Sequence, residues 1–107
     1  MQTTVIVYAD NKGKEPFSNW LTGLSDARIR RRVIMRLRRI EQGHFGDCKH
    51  LQDNVFELRL FFGPGYRIYL GKDGDKLVVL LCGGDKSTQQ KDIFKALNFW
   101  NEYKHHA

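Results

Sequence analysis

The spacing of apolar positions changes several times along the chain, and each change marks an element. Thr4 to Ala9 (Thr-Val-Ile-Val-Tyr-Ala) is short and β-branched, which predicts a strand. Asp10-Asn11-Lys12-Gly13 is a turn signal, and Pro16 suits the first turn of a helix. Phe17, Trp20, Leu21 and Leu24 then recur at helical spacing and give one buried stripe. Ser25 and Asp26 are cap-type residues, and Ile29, Val33, Leu37 and Ile40 form the stripe of a second helix, which Gly43 ends. His44 to Asn54 reads as a loop with at most a short strand.

Period-2 alternation takes over at Val55. Phe56, Leu58 and Leu60 face one way, and Glu57, Arg59 and Phe61 the other. Gly63-Pro64-Gly65 marks a turn. In the next strand Tyr66, Ile68 and Leu70 oppose Arg67 and Tyr69. Lys72-Asp73-Gly74-Asp75 carries a hairpin signal with an Asp-Gly pair. Leu77 to Cys82 is apolar throughout, the pattern of a central strand covered on both faces. Gly83-Gly84-Asp85-Lys86 leads out of it. Ser87 with Gln90 has capping-box spacing, and Ile93, Phe94, Leu97 and Trp100 stripe a C-terminal helix. The expected fold is α+β, in the order β-α-α-β-β-β-α. Helices pack on one face of a small curved antiparallel sheet, and the other face is partly open.

At 107 residues the chain holds one domain. Its 18 Lys and Arg against 12 Asp and Glu give a net charge of +6, which points to a polyanion or an acidic protein as partner. Seven arginines fall within residues 28–39: Arg28, Arg30, Arg31, Arg32, Arg36, Arg38 and Arg39. They suit a solvated face with snorkelling stems, or contact with RNA phosphates or an acidic segment, with Arg31 and Arg38 as representatives. Cys48 and Cys82 match no metal or redox spacing, and Cys82, ending an apolar run, reads as a buried thiol; a reducing cytoplasm fits. The N-terminus from Met1 has no leader pattern, no run is long enough to span a membrane, and the tail from Tyr103 to Ala107 is expected to fray. Neither a metal nor a cofactor is expected.

Chemistry concentrates on the polar face of the strands. If Leu60 sits opposite Ile68, Arg59 and Arg67 become diagonal neighbours on an open face, flanked by Tyr69 and Phe61. Guanidinium on phosphate with an aromatic ring on a base makes an RNA site; a cross-strand charge ladder, with Glu57 neutralising one arginine, is the plainer reading. Lys86 adds a third cation at a helix start, without P-loop spacing. The chain has no Ser-His-Asp set and no paired carboxylates. His44 and His50 lie in a loop and read as surface histidines.

Together, Val55-Phe56-Glu57-Leu58-Arg59-Leu60, Gly63-Pro64-Gly65-Tyr66-Arg67-Ile68-Tyr69, Leu80-Leu81-Cys82-Gly83-Gly84-Asp85-Lys86-Ser87, Asp92-Ile93 and Ala96 resemble the HigB-like addiction-module killer branch of the RelE/ParE superfamily. Trp20-Leu21 and Gly43-His44-Phe45-Gly46-Asp47 fit the same branch, and the resemblance covers roughly residues 3–103. It implies a toxin with a cognate antitoxin, usually a helix-turn-helix protein through which alone the pair meets DNA. It also implies cleavage of mRNA on the ribosome, with Arg67, Arg59 and Lys86 in the catalytic positions. A ParE-like gyrase inhibitor without catalysis is the alternative that the superfamily offers. Two positions depart from the RelE pattern: Glu57 stands where a basic residue is expected, and Asp92 where a tyrosine is.

Overall fold

The computed structural model describes residues 2–106. Met1 and Ala107, the extreme positions of the leader and fraying expectations, lie outside the described residues. The strands are β1 (Thr4–Val7), β2 (Cys48–Gln52), β3 (Val55–Arg59), β4 (Arg67–Asp73) and β5 (Leu77–Gly84). The helices are α1 (Pro16–Gly23), α2 (Ala27–Glu41) and α3 (Gln89–His106). The sheet order is β1-β5-β4-β3-β2. β1 runs parallel to β5 and the other neighbours are antiparallel, so the sheet is mixed where the pattern predicts an antiparallel one. The fold is α+β, with one more strand than the pattern predicts. β2 (Cys-Lys-His-Leu-Gln) pairs only with β3, and its pattern is too polar for a strand buried on a face.

Helices cover both faces of the sheet, which corrects the expectation of an open face. Adjacent glycines show it directly. A side chain added at Gly83 would collide with Trp20 of α1, and one at Gly84 with Asp92 of α3. Leu58, Ile68, Leu70, Val78 and Leu80 pack with Phe17, Val33 and Ile40 beneath α1 and α2. Val55, Tyr69, Val79 and Leu81 pack with Ala96 and Trp100 beneath α3. The continuous apolar run of β5 is the sequence signature of this double cover. α3 is seated by Trp100, whose ring fills the gap that Gly71 leaves and whose indole N–H donates to the Asp53 carbonyl at 2.6 Å.

Asp26 caps α2 by accepting from the Arg28 N–H at 2.9 Å, as its position predicts. Gly43, at φ +88°, ends the same helix. A short 3-10 turn, Lys86–Thr88, leads into α3, and its cap is Asp85, not the predicted Ser87. The Asp85 carboxylate accepts from the Ser87 N–H at 2.8 Å, and Thr88 completes the box. α3 stays helical through His106, so the expected fraying is not seen in the described residues. Among the described residues no helix is long and apolar enough to cross a membrane.

Candidate functional site

The site forms where β3 and β4 leave the sheet, between α2 and the start of α3. The connection closes when the Leu60 N–H donates to the Tyr66 carbonyl at 3.0 Å. This pairs Leu58 with Ile68 and sets Arg59 directly opposite Arg67. The expected register, with Leu60 opposite Ile68, is displaced by two residues. An even shift keeps every side chain on its predicted face, but the arginines become direct cross-strand partners instead of diagonal ones. Gly65, at φ +78°, makes the turn that brings its carbonyl to 2.7 Å from Arg67 Nη1.

Like charges directly opposite each other repel, and the counter-charge here is Glu57. Its side chain is 1% exposed. Arg59 Nε lies 3.4 Å from Oε1, and Arg67 Nε 3.7 Å from Oε2. The Tyr69 hydroxyl and the Gln89 amide each donate to Oε2 at 3.0 Å. Neither arginine Nε makes a hydrogen bond, so both Nε atoms are buried donors that meet the carboxylate through charge only. Arg59 also lies 4.0 Å from Asp47 Oδ2.

Tyr69 corrects the sequence expectation most clearly. Alternation alone puts it on an open face against RNA bases; it is fully buried beneath α3. Burial, then the nearby Glu57 carboxylate, pushes its phenol far above the ordinary range, so it stays protonated and serves as a fixed hydrogen-bond donor to Glu57. Gln89 escapes sequence reasoning, because nothing in its context separates it from any other residue of a first helical turn.

Lys86 is exposed beside the pair, and its backbone N–H points to the Pro64 carbonyl at 3.4 Å. Hydrogen bonds from Ser87 hold the Asp85 carboxyl below its usual range. Asp92, at the expected tyrosine position, is buried and accepts from the Thr88 hydroxyl at 2.5 Å, a bond within the first turns of the C-terminal helical segment.

A small depression of about 330 Å³ is bounded by Arg59, Phe62, Gly65, Tyr66 and Arg67. It adjoins a groove of about 870 Å³ lined by Arg28, Arg31, Arg32, Arg36, Arg39 and Arg59, with Met35 and Phe61 among its apolar residues. Arg59 borders both. Phe61 is 83% exposed at the shared rim, and Arg32 stacks 3.9 Å from the Phe62 ring centroid. Arg36 is fixed by donating to the Phe45 carbonyl at 2.5 Å, and burial pulls it below its ordinary pKa. Arg31 therefore stands in the groove. Arg38 does not: it lines a separate depression with Gln2, Thr4 and Glu41, because its position turns it toward β1.

His50 packs against Phe56 from β2 with the rings tilted, and His44 is exposed in the loop after α2; neither lines the depression beside the arginine pair. Among the described residues no group of three or more His, Cys, Asp or Glu side chains is placed to hold a metal ion. Burial pushes the Cys82 thiol up to about 12, so it stays protonated within the core.

A family model described as "Phage derived protein Gp49-like (DUF891)" matches residues 19–98. That span runs from α1 through most of α3 and includes the arginine pair, Glu57, Lys86 and the α2 arginines. An uncharacterised protein of Haemophilus influenzae is 49% identical over 80 residues, 75% of this chain and 81% of the relative. The chain belongs to the phage-derived Gp49-like family, a family of RelE/HigB-like toxins associated with toxin–antitoxin pairs.

Proposed function

We propose that this chain is the toxin of a type II toxin–antitoxin system, of the HigB-like branch, and that it cleaves mRNA on the ribosome. The observation that carries the reading is the pairing of Arg59 and Arg67 at the end of an arginine-lined groove with an exposed phenylalanine at its rim, with Lys86 on the adjoining turn beside Gly65. Such a groove tracks phosphates with its guanidiniums and stacks a base on Phe61. The depression at its end offers fixed positive charge.

The reaction is transesterification within the RNA. The ribose 2′-oxygen attacks the adjacent phosphorus, and the bond from phosphorus to the 5′-oxygen breaks. The products are a 2′,3′-cyclic phosphate and a 5′-hydroxyl. Arg67 stabilises the charge that builds on the non-bridging oxygens, and Arg59 orients the phosphate from the groove side. Lys86 gives the departing 5′-oxygen its proton. The proton of the 2′-hydroxyl passes to water or to a ribosomal group, since Glu57 is buried and already engaged. The cognate antitoxin implied by the family neutralises the toxin by covering basic surface, and the α2 groove is a candidate docking face.

One observation favours a second reading. Glu57 offsets one of the two charges of the arginine pair and Tyr69 is covered by α3, an arrangement also suited to binding without catalysis, as in a ParE-like gyrase inhibitor. Induced expression in bacteria separates the two. The nuclease produces growth arrest with new mRNA 5′ ends inside coding regions. The gyrase inhibitor leaves mRNA intact and triggers a DNA-damage response. Unimpeded growth at high expression contradicts both.

A further inference from the structure

We infer that Glu57 is an internal stand-in for phosphate: it holds Arg59 and Arg67 side by side as a positioning residue, and it restrains their affinity for the incoming phosphodiester. The inference rests on reading this depression as a phosphodiester site. Two guanidiniums set directly across an antiparallel pair repel, and without a counter-charge they splay into solvent. Here they converge on one carboxylate, each offering its Nε at ion-pair distance and neither completing a hydrogen bond. Glu57 cannot follow an outside ligand, because Tyr69 and Gln89 fix its Oε2 from beneath. Arg59 has more freedom: its side chain is 37% exposed and borders both the depression and the groove, whereas Arg67 is 14% exposed and tied to the Gly65 carbonyl. A phosphodiester in the depression presents a second anion to a pair already aligned. The pair is thus arranged before RNA arrives, and part of its charge is already satisfied. The first effect favours turnover and the second weakens binding.

These opposed effects make the role testable with the full-length chain. The probe is a single-stranded DNA oligonucleotide, which has the phosphodiester backbone and lacks the attacking 2′-hydroxyl. Binding of wild type and Glu57→Gln is measured across a series of salt concentrations, with thermal melts and with cleavage of mRNA on programmed ribosomes. Glutamine still accepts from Tyr69 but carries no charge. The expected result is about fivefold tighter binding, the worth of one partly exposed ion pair at about 1 kcal/mol. The slope of log K against log salt steepens by about 0.7, one further phosphate neutralised on a single strand. Cleavage slows at the same time. A purely structural role weakens binding and cleavage together and leaves that slope unchanged.

A folded Glu57→Gln with wild-type affinity and slope overturns the inference, as does absence of binding by both proteins. Tighter binding with undiminished cleavage overturns the positioning half. If Glu57→Gln does not fold, Glu57→Asp draws the carboxylate back by one methylene and is expected to bind more tightly than wild type; equal or weaker binding overturns the inference. Tighter binding by the variant with no cleavage by wild type refutes the nuclease and leaves Glu57's restraint on binding standing. Cleavage by wild type with an unchanged salt slope in the variant does the reverse.

Discussion

The arginines of α2 and the arginine pair of β3 and β4 carry the same charge in opposite settings. Along α2, Arg28, Arg31, Arg32 and Arg39 line an open groove, and of these only Arg28 has an acidic partner, Asp26, among the described residues. In the sheet, Arg59 and Arg67 are drawn against a buried glutamate that a tyrosine and a glutamine hold in place. Free charge acts at a distance, tolerates removal of any one member and is screened by salt. Charge fixed at close range sets geometry, and one substitution removes it. The first arrangement suits docking on a polyanion, and the second suits the spot where a single phosphate must be held.

The comparison breaks most severely if α3 is unseated. Trp100→Ala removes the ring that packs over Gly71 and belongs to the cluster burying Tyr69. It is expected to cost about 3–5 kcal/mol, read as a fall in denaturation midpoint. A cost under about 1 kcal/mol would show that the clamp does not depend on α3. Next comes Arg67→Ala, expected to lower cleavage and toxicity roughly 10²-fold or more while the protein stays folded. Growth inhibition with a thermal melt checks it. Full toxicity removes Arg67 from the site, and unfolding together with absent toxicity makes its role structural.

Smaller effects sharpen the contrast. Removing Arg31 and Arg32 together is expected to leave stability within about 0.5 kcal/mol. It is also expected to flatten the salt dependence of RNA binding by about 0.7 for each phosphate left without its arginine. A thermal melt reads the first number and a salt titration of an RNA oligonucleotide the second. Arg38→Ala is expected to bind RNA like wild type, because its side chain lies toward β1 outside the groove. An effect equal to that of Arg31→Ala would mean that overall helix charge, not the groove, governs binding.

Much of the framework is legible from spacing. Pro16, Asp26 and Gly43 bracket α1 and α2, and the alternation in β3 and β4 assigns each side chain its correct face. Three features escape it for physical reasons. β2 has too few apolar residues to signal a strand, since an edge strand needs only one neighbour. The hairpin register depends on loop closure at Leu60 and Tyr66, which alternation cannot fix. The cover over Tyr69 comes from α3 packing across the sheet, which the alternation within β4 does not register; only the unbroken apolar run from Leu77 to Cys82 in the neighbouring strand points to it. At the site, Arg59, Arg67 and Lys86 stand out in the sequence as charges, while Glu57 reads only as a neutraliser of one of them. Its hold on both depends on tertiary packing with Tyr69 and Gln89, which lies beyond local sequence patterns.

Ribosome dependence is the most direct test of the central claim. The described residues lining the depression include no histidine and no carboxylate; Glu57 beside it is buried and engaged, and Asp47, 4.0 Å from Arg59, faces the groove. The site therefore stabilises charge but does little to align a flexible RNA, and alignment alone is worth roughly 7–11 kcal/mol. Purified protein is incubated with one mRNA, either free or held in the A site of programmed ribosomes, and the 5′ ends are mapped. The account predicts defined cuts on the ribosome-bound message and almost none on the free one at the same protein concentration. Equal or faster cutting of free mRNA would contradict it.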